Sequence, residues 1–115
     1  MTDLKYEEIH PQSRRELAKV FETGDPVQVR AALYSTAKFE PDWEWTQKQC
    51  LRFLVHEDYL VRWAAALSLG YIALYQRRLE LAAVLPELHA AKADARIASV
   101  VNDSLDMIRQ CIKPN

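Results

Sequence analysis

The sequence predicts an all-α domain of three stacked antiparallel helix hairpins, about six helices in all. Three observations carry that. The 115 residues hold only two glycines and five prolines among abundant Ala, Leu, Arg and Glu, which favours helix and disfavours strand hairpins. Three segments share one pattern, an acidic residue followed by an aliphatic stretch: TGDPVQVRAAL, HEDYLVRWAAALSLG and KADARIASVVNDSL. Aligning Val29-Arg30, Val61-Arg62 and Ile97-Ala98 repeats that pattern at intervals of roughly 32 and 36 residues, within the range of helix-hairpin arrays.

Each element has a local reason. The first helix, about 13–22, opens at the capping-box spacing of Ser13 and Glu16 and is stopped by Gly24. The second, about 26–38, is capped by Asp25, and Pro26 occupies the first helical position, where its missing N–H costs least. Asp42 caps the third, about 43–56, with Glu44 in the first turn, where the helix dipole favours negative charge. The fourth, about 59–77, is capped by Asp58 and is apolar almost all round, so it must be covered on several sides and belongs in the middle. The fifth, about 79–92, contains Pro86, which either kinks it or marks its start after a loop at 77–80; a kink is the expectation. Asp94 is read as the cap of the sixth, about 95–111. Paired in order, these give repeats at about 13–39, 42–78 and 79–112 in a single domain, with an N-terminal extension over 1–12.

Composition narrows the function. A net charge of −1 and a pI near 6.3 argue against a nucleic-acid binder, which would carry a basic stripe. Cys50 and Cys111 lack CxxC or zinc-type spacing and read as reduced thiols of a cytoplasmic protein. The start, MTDLKYEEIHPQ, has no apolar core of a secretory signal, and the longest apolar run, WAAALSLGYIALY, is too short to span a bilayer.

Residues 58–73, DYLVRWAAALSLGYIA, resemble the HEAT-repeat signature at Asp58, Val61, Arg62, Ala65, Leu69, Gly70 and Ala73. DPVQVRAAL repeats its front half, and LAAVLPELHAAKAD is similar to the kinked first helix of such a repeat. The resemblance covers about residues 13–111 and implies an α-solenoid with an Asp–Arg ladder through Asp25, Arg30, Asp58 and Arg62. Ala98 replaces the next arginine and Asp106 the next glycine, so the ladder is expected to stop there and the third repeat to act as a polar cap.

No catalytic constellation is legible. His10, His56 and His89 show no metal spacing, no glycine-rich phosphate loop exists, and no serine sits in a nucleophile elbow. His56 reads as a dipole partner at the end of the third helix. No cofactor and no metal is expected, and the chain is read as a non-enzyme.

The aromatic residues say more. Tyr59, Trp63, Ala66, Gly70 and Arg77 fall on one strip of the fourth helix, with Tyr34 and Lys38 matching on the second and Ser99, Asn102, Asp106 and Arg109 on the sixth. In a solenoid, this strip forms an exposed groove with the composition of interface hot spots; the alternative packs Trp63 on a neighbouring hairpin. In KFEPDWEWTQK, Trp43 and Trp45 lie two positions apart and so point to different sides of a helix. Trp45 is read as facing the core. Trp43, among Glu40, Asp42 and Glu44, either meets a basic partner or folds back on Phe39 or Tyr34.

The expected function is a protein-binding module. Its size, fold and mild acidity resemble bacterial immunity proteins of contact-dependent inhibition systems, which implies occlusion of a basic toxin nuclease. Partner contacts are expected at Tyr34, Glu40, Asp42, Trp43, Glu44, Tyr59, Trp63, Asn102 and Asp106. A scaffold or regulatory protein is the alternative. A DNA-repair or chromophore-lyase module of the same architecture is less favoured, and the glycosylase type in particular would be about twice as long and carry a basic concave face.

Overall fold

A computed structural model describes residues 13–113 and contains six helices: α1 (Arg14–Thr23), α2 (Pro26–Phe39), α3 (Trp43–Phe53), α4 (Tyr59–Gln76), α5 (Leu81–Ala91) and α6 (Ala98–Cys111). No strand occurs among the described residues. The extension over 1–12, with His10, lies outside them.

The capping chemistry read from the sequence is in place for four helices. Ser13 and Glu16 form a reciprocal capping box at α1, and Asp25 forms one with Gln28 at α2. Asp42 accepts from the Trp45 N–H at α3, and Asp58 from the Leu60 N–H at α4. Gly24 ends α1 with extended backbone rather than a left-handed turn.

Three boundaries differ. α3 stops at Phe53 rather than near residue 56, because His56 turns away: its N–H bonds back to the Phe53 carbonyl and its Nδ1 accepts from the Asp58 N–H. His56 is thus a loop brace rather than a simple dipole partner. α6 begins at Ala98, and Asp94 does not cap it. The Asp94 carboxylate instead accepts from the Arg96 N–H in a tight turn and from Arg62 across the hairpin boundary. α5 begins after the 77–80 loop and continues through Pro86, so the proline does not mark its start. Ala82 and Pro86 are both exposed, and water can serve the carbonyl that the ring leaves unbonded.

The helices form two layers. α2, α4 and α6 lie side by side with α4 central, while α1, α3 and α5 back them, and the whole measures 49 × 29 × 24 Å. This is the predicted stack of three hairpins. Val61, Ala64, Ala65, Ala66, Leu69, Ile72 and Ala73 of α4 are almost wholly buried, which accounts for a helix apolar around most of its circumference. α5 has no side-chain cap of its own. Gln47 of α3, 5% exposed, accepts from the Glu80 N–H at 2.8 Å and donates to the Glu80 carboxylate at 3.1 Å, so the second hairpin supplies a cap for the third.

The expected ladder is also revised. Arg30 makes no hydrogen bond to Asp58 among the described residues, whereas Arg62 reaches Asp94 at 2.8 Å and the His56 and Glu57 carbonyls at 2.8 and 3.0 Å. The rung that should have been absent is the one formed: Ala98 removes an arginine, but the acceptor aspartate remains. The expected polar cap is incomplete, since Leu81, Leu85, Leu105, Ile108 and Ile112 line a groove between α5 and α6.

Candidate functional site

The strip expected as an open trough on α4 is not one. Ala66 and Gly70 are buried; a Cβ on Gly70 would meet the Met107 Cε at 2.6 Å, the Ser104 Oγ at 2.9 Å and the Ser104 Cα at 3.2 Å. The glycine is what lets α6 approach α4 so closely. Side-by-side packing of α4 and α6 therefore closes one edge of that strip.

The line of α4 that does reach solvent lies next to it, at Leu60, Trp63, Leu67, Tyr71, Leu74 and Tyr75. Trp63, Leu67, Tyr71 and Tyr75 are spaced i, i+4 and so stand one above another. Leu60, Leu74 and Tyr75 are 40%, 39% and 50% exposed. No charged side chain interrupts this ridge. Beside it on α2, Tyr34 meets Tyr71 with ring centroids 6.2 Å apart, and Tyr71 meets Tyr75 edge-on at 5.9 Å. Lys38 extends over Tyr75 at 5.4 Å and Phe39 at 5.7 Å, and with Tyr34, Leu67, Tyr71 and Tyr75 it lines a shallow hollow. Burial, reinforced by Tyr71, pushes the Tyr34 phenol up, so the hydroxyl stays protonated and able to donate.

The anticipated contact residues divide into three groups. Tyr34 and Trp63 belong to the ridge and its flank, both half-buried. Tyr59 stands at the foot of α4 with the Arg96 guanidinium stacked over its ring at 4.4 Å, and Asn102 and Asp106 are exposed on α6, Asp106 paired with Arg109 at 2.7 Å. Glu40, Asp42, Trp43 and Glu44 form a separate group at the α2–α3 junction. There the Glu40 carboxylate accepts from the Asp42 N–H, and its carbonyl accepts from Gln76 of α4. Asp42 bonds Arg14 at 2.7 Å, and the Trp45 N–H together with that guanidinium holds its carboxyl below the ordinary range.

Both tryptophans are half-buried and pack on the core, so Trp45 faces inward as expected and Trp43 also has part of its surface covered by the fold. The fold supplies the second cover that the i, i+2 spacing demands. Trp45 lies between Phe21, 5.9 Å away by ring centroid, and the Arg14 guanidinium, 4.2 Å above its face. Helix α1 is thereby fastened to α3 rather than to a partner.

Leu67, Tyr71, Leu74 and Tyr75 were not among the anticipated contacts. Their i, i+4 spacing was the available signal, hidden by a helix whose other faces are apolar as well. Among the described residues no cluster of His, Cys, Asp and Glu could hold a metal ion, and no helix is long and apolar enough to cross a membrane.

No protein-family description matches the chain, and no curated protein matches it. Among solved structures it is similar to a chain in the crystal structure of a CDI complex from Cupriavidus taiwanensis, with a TM-score of 0.82 at 27% sequence identity. The similarity extends over 95% of this chain and 98% of that one, so the two share the fold from end to end.

Proposed function

We propose that this chain is a non-catalytic protein-binding module: an immunity protein of a contact-dependent inhibition system, built as a HEAT-like solenoid, that binds its cognate toxin domain in the cytoplasm and occludes it. The observation that carries the reading is end-to-end similarity, at 27% identity, to a chain from a CDI complex. The ridge on α4 agrees with it, since a partly exposed line of aromatic and aliphatic residues without a charge has the composition of interface hot spots.

The finer reading is a nuclease toxin whose basic substrate cleft is covered. Of the carboxylates that would face such a cleft, Glu40 and Asp42 are bonded within the chain and Asp106 to Arg109. Glu44 and Glu57 remain exposed.

The test is protection. Expression of the toxin domain encoded beside this chain should arrest growth of a laboratory host, and co-expression of this chain should restore it, with the two purifying as an equimolar complex. Continued arrest despite soluble, folded chain would refute the reading.

A further inference from the structure

The ridge has a charge pattern across it, not only an apolar character. Cations stand on the α2 side, where Arg30 lies a turn before Tyr34 and Lys38 a turn after it. An acid stands on the α6 side, where Asp103 lies a turn before Met107, whose Cε would lie 2.6 Å from a Cβ at Gly70. Asp103 is exposed and makes no ion pair among the described residues. Between the two, α4 offers six outward residues without a charge, in a chain where 27% of residues are charged. The face therefore has cations along its α2 edge, an uncharged aromatic middle and the acid Asp103 on its α6 side, with Arg96 over Tyr59 at its foot and Asp106 neutralised by Arg109.

We infer that this α2–α4–α6 face docks an apolar element of the toxin domain that carries a carboxylate toward α2 and a cation toward α6; the inference rests on the immunity reading above. Charge complementarity argues for that occupant. A uniformly basic partner would meet Arg30 and Lys38 head-on, and like charges brought together in a desolvated interface oppose binding. The acids suited to a uniformly basic partner, Glu40 and Asp42, are already bonded within the chain at the α2–α3 junction. The middle of the face supplies rigid aromatic anchors, and the edges set orientation and encounter rate.

The probe is the purified toxin domain encoded beside this chain, titrated calorimetrically with full-length variants whose thermal unfolding stays near wild type. Tyr71→Ala and Leu74→Ser should each weaken binding about 30-fold or more, and Leu67→Glu, where it folds, about 100-fold. Lys48→Glu, on the α3–α5 side with Glu44 and Glu80, should stay within about threefold. Lys38→Glu should slow association several-fold at low salt, read by stopped-flow mixing, and lose that effect at high salt. If wild type binds while Tyr71→Ala and Leu74→Ser bind equally well, the face is wrong and the immunity reading stands. Folded wild type that does not bind the toxin domain at all overturns both. A dimer of this chain alone, dispersed by Leu74→Ser, would assign the face to a second copy and overturn the inference.

Discussion

Arg62 of α4 and Asp94 of the α5–α6 turn are joined by Nε and Nη2 to one carboxylate oxygen, each at 2.8 Å, with side chains only 19% and 30% exposed. The same guanidinium holds the His56 and Glu57 carbonyls, so one side chain fixes both ends of the boundary between the last two hairpins. Charge-assisted bonds in such a setting contribute about 1.5–3 kcal/mol. Arg62→Ala should therefore lower unfolding free energy by about 2–3 kcal/mol. Arg62→Lys should recover less than half of that, because an ammonium cannot reproduce the planar fork. Urea denaturation followed by circular dichroism measures both, and an Arg62→Ala loss below about 0.5 kcal/mol would show the junction to be ornamental.

Gly70 lies where α6 crosses closest. Alanine is the better helix former by about 1 kcal/mol, yet its Cβ would lie 3.2 Å from the Ser104 Cα, which belongs to backbone that cannot swing aside. Gly70→Ala should cost about 1–3 kcal/mol net. Ser104→Ala, by contrast, should be neutral or stabilising by up to about 1 kcal/mol, since its buried hydroxyl has no hydrogen-bond partner among the described residues. A stabilised Gly70→Ala protein would mean the two helices have room to spare.

Arg77 closes α4 in the left-handed region, at φ 58 and ψ 27, a conformation that strains any side chain with a Cβ. Arg77→Gly should raise unfolding free energy by about 1 kcal/mol and the midpoint of thermal unfolding by several degrees. An unchanged or lowered midpoint would contradict that account.

Asp42 links the α3 cap to Arg14, and its carboxyl is held below its ordinary value chiefly by the Trp45 N–H. A carboxyl depressed in the folded state stabilises above its unfolded pKa, and that contribution disappears as pH falls through the folded value. Asp42→Ala should therefore be less stable than wild type at pH 7, with the gap narrowing as acid approaches and passes the ordinary carboxylate range. Parallel stability curves from pH 7 to pH 2 would remove Asp42 from the argument.

Cys50 is fully enclosed in the core, and burial pushes its thiol far up. In a Cys111→Ser background, an aromatic disulfide reagent should label Cys50 only as fast as the protein opens. Rapid labelling of the folded protein at neutral pH would show that the core is not closed around it.

The helices and four of their caps were legible because they are local. A serine, three aspartates, a proline and the apolar period act within a turn or two of chain, and the structure places α1, α2, α3 and α4 where those signals put them. Central placement of α4 also followed from sequence alone, since a helix apolar on nearly every side has no other stable location. Asp94 marks where local reading fails: its spacing fits a cap, but Arg62, 32 residues away in sequence, takes the carboxylate. Trp45 faces the core as its spacing indicated, but the two readings left open for Trp43 could not be separated locally, since the core it packs on is assembled from several helices. Which strip of α4 faces outward was decided by how closely α6 approaches at Gly70, a distance set by side chains from two helices at once. Sequence by itself determined the elements and their order, because those depend on neighbours along the chain. Tertiary packing alone decided the exposed face, because solvent reaches only what the other helices leave uncovered.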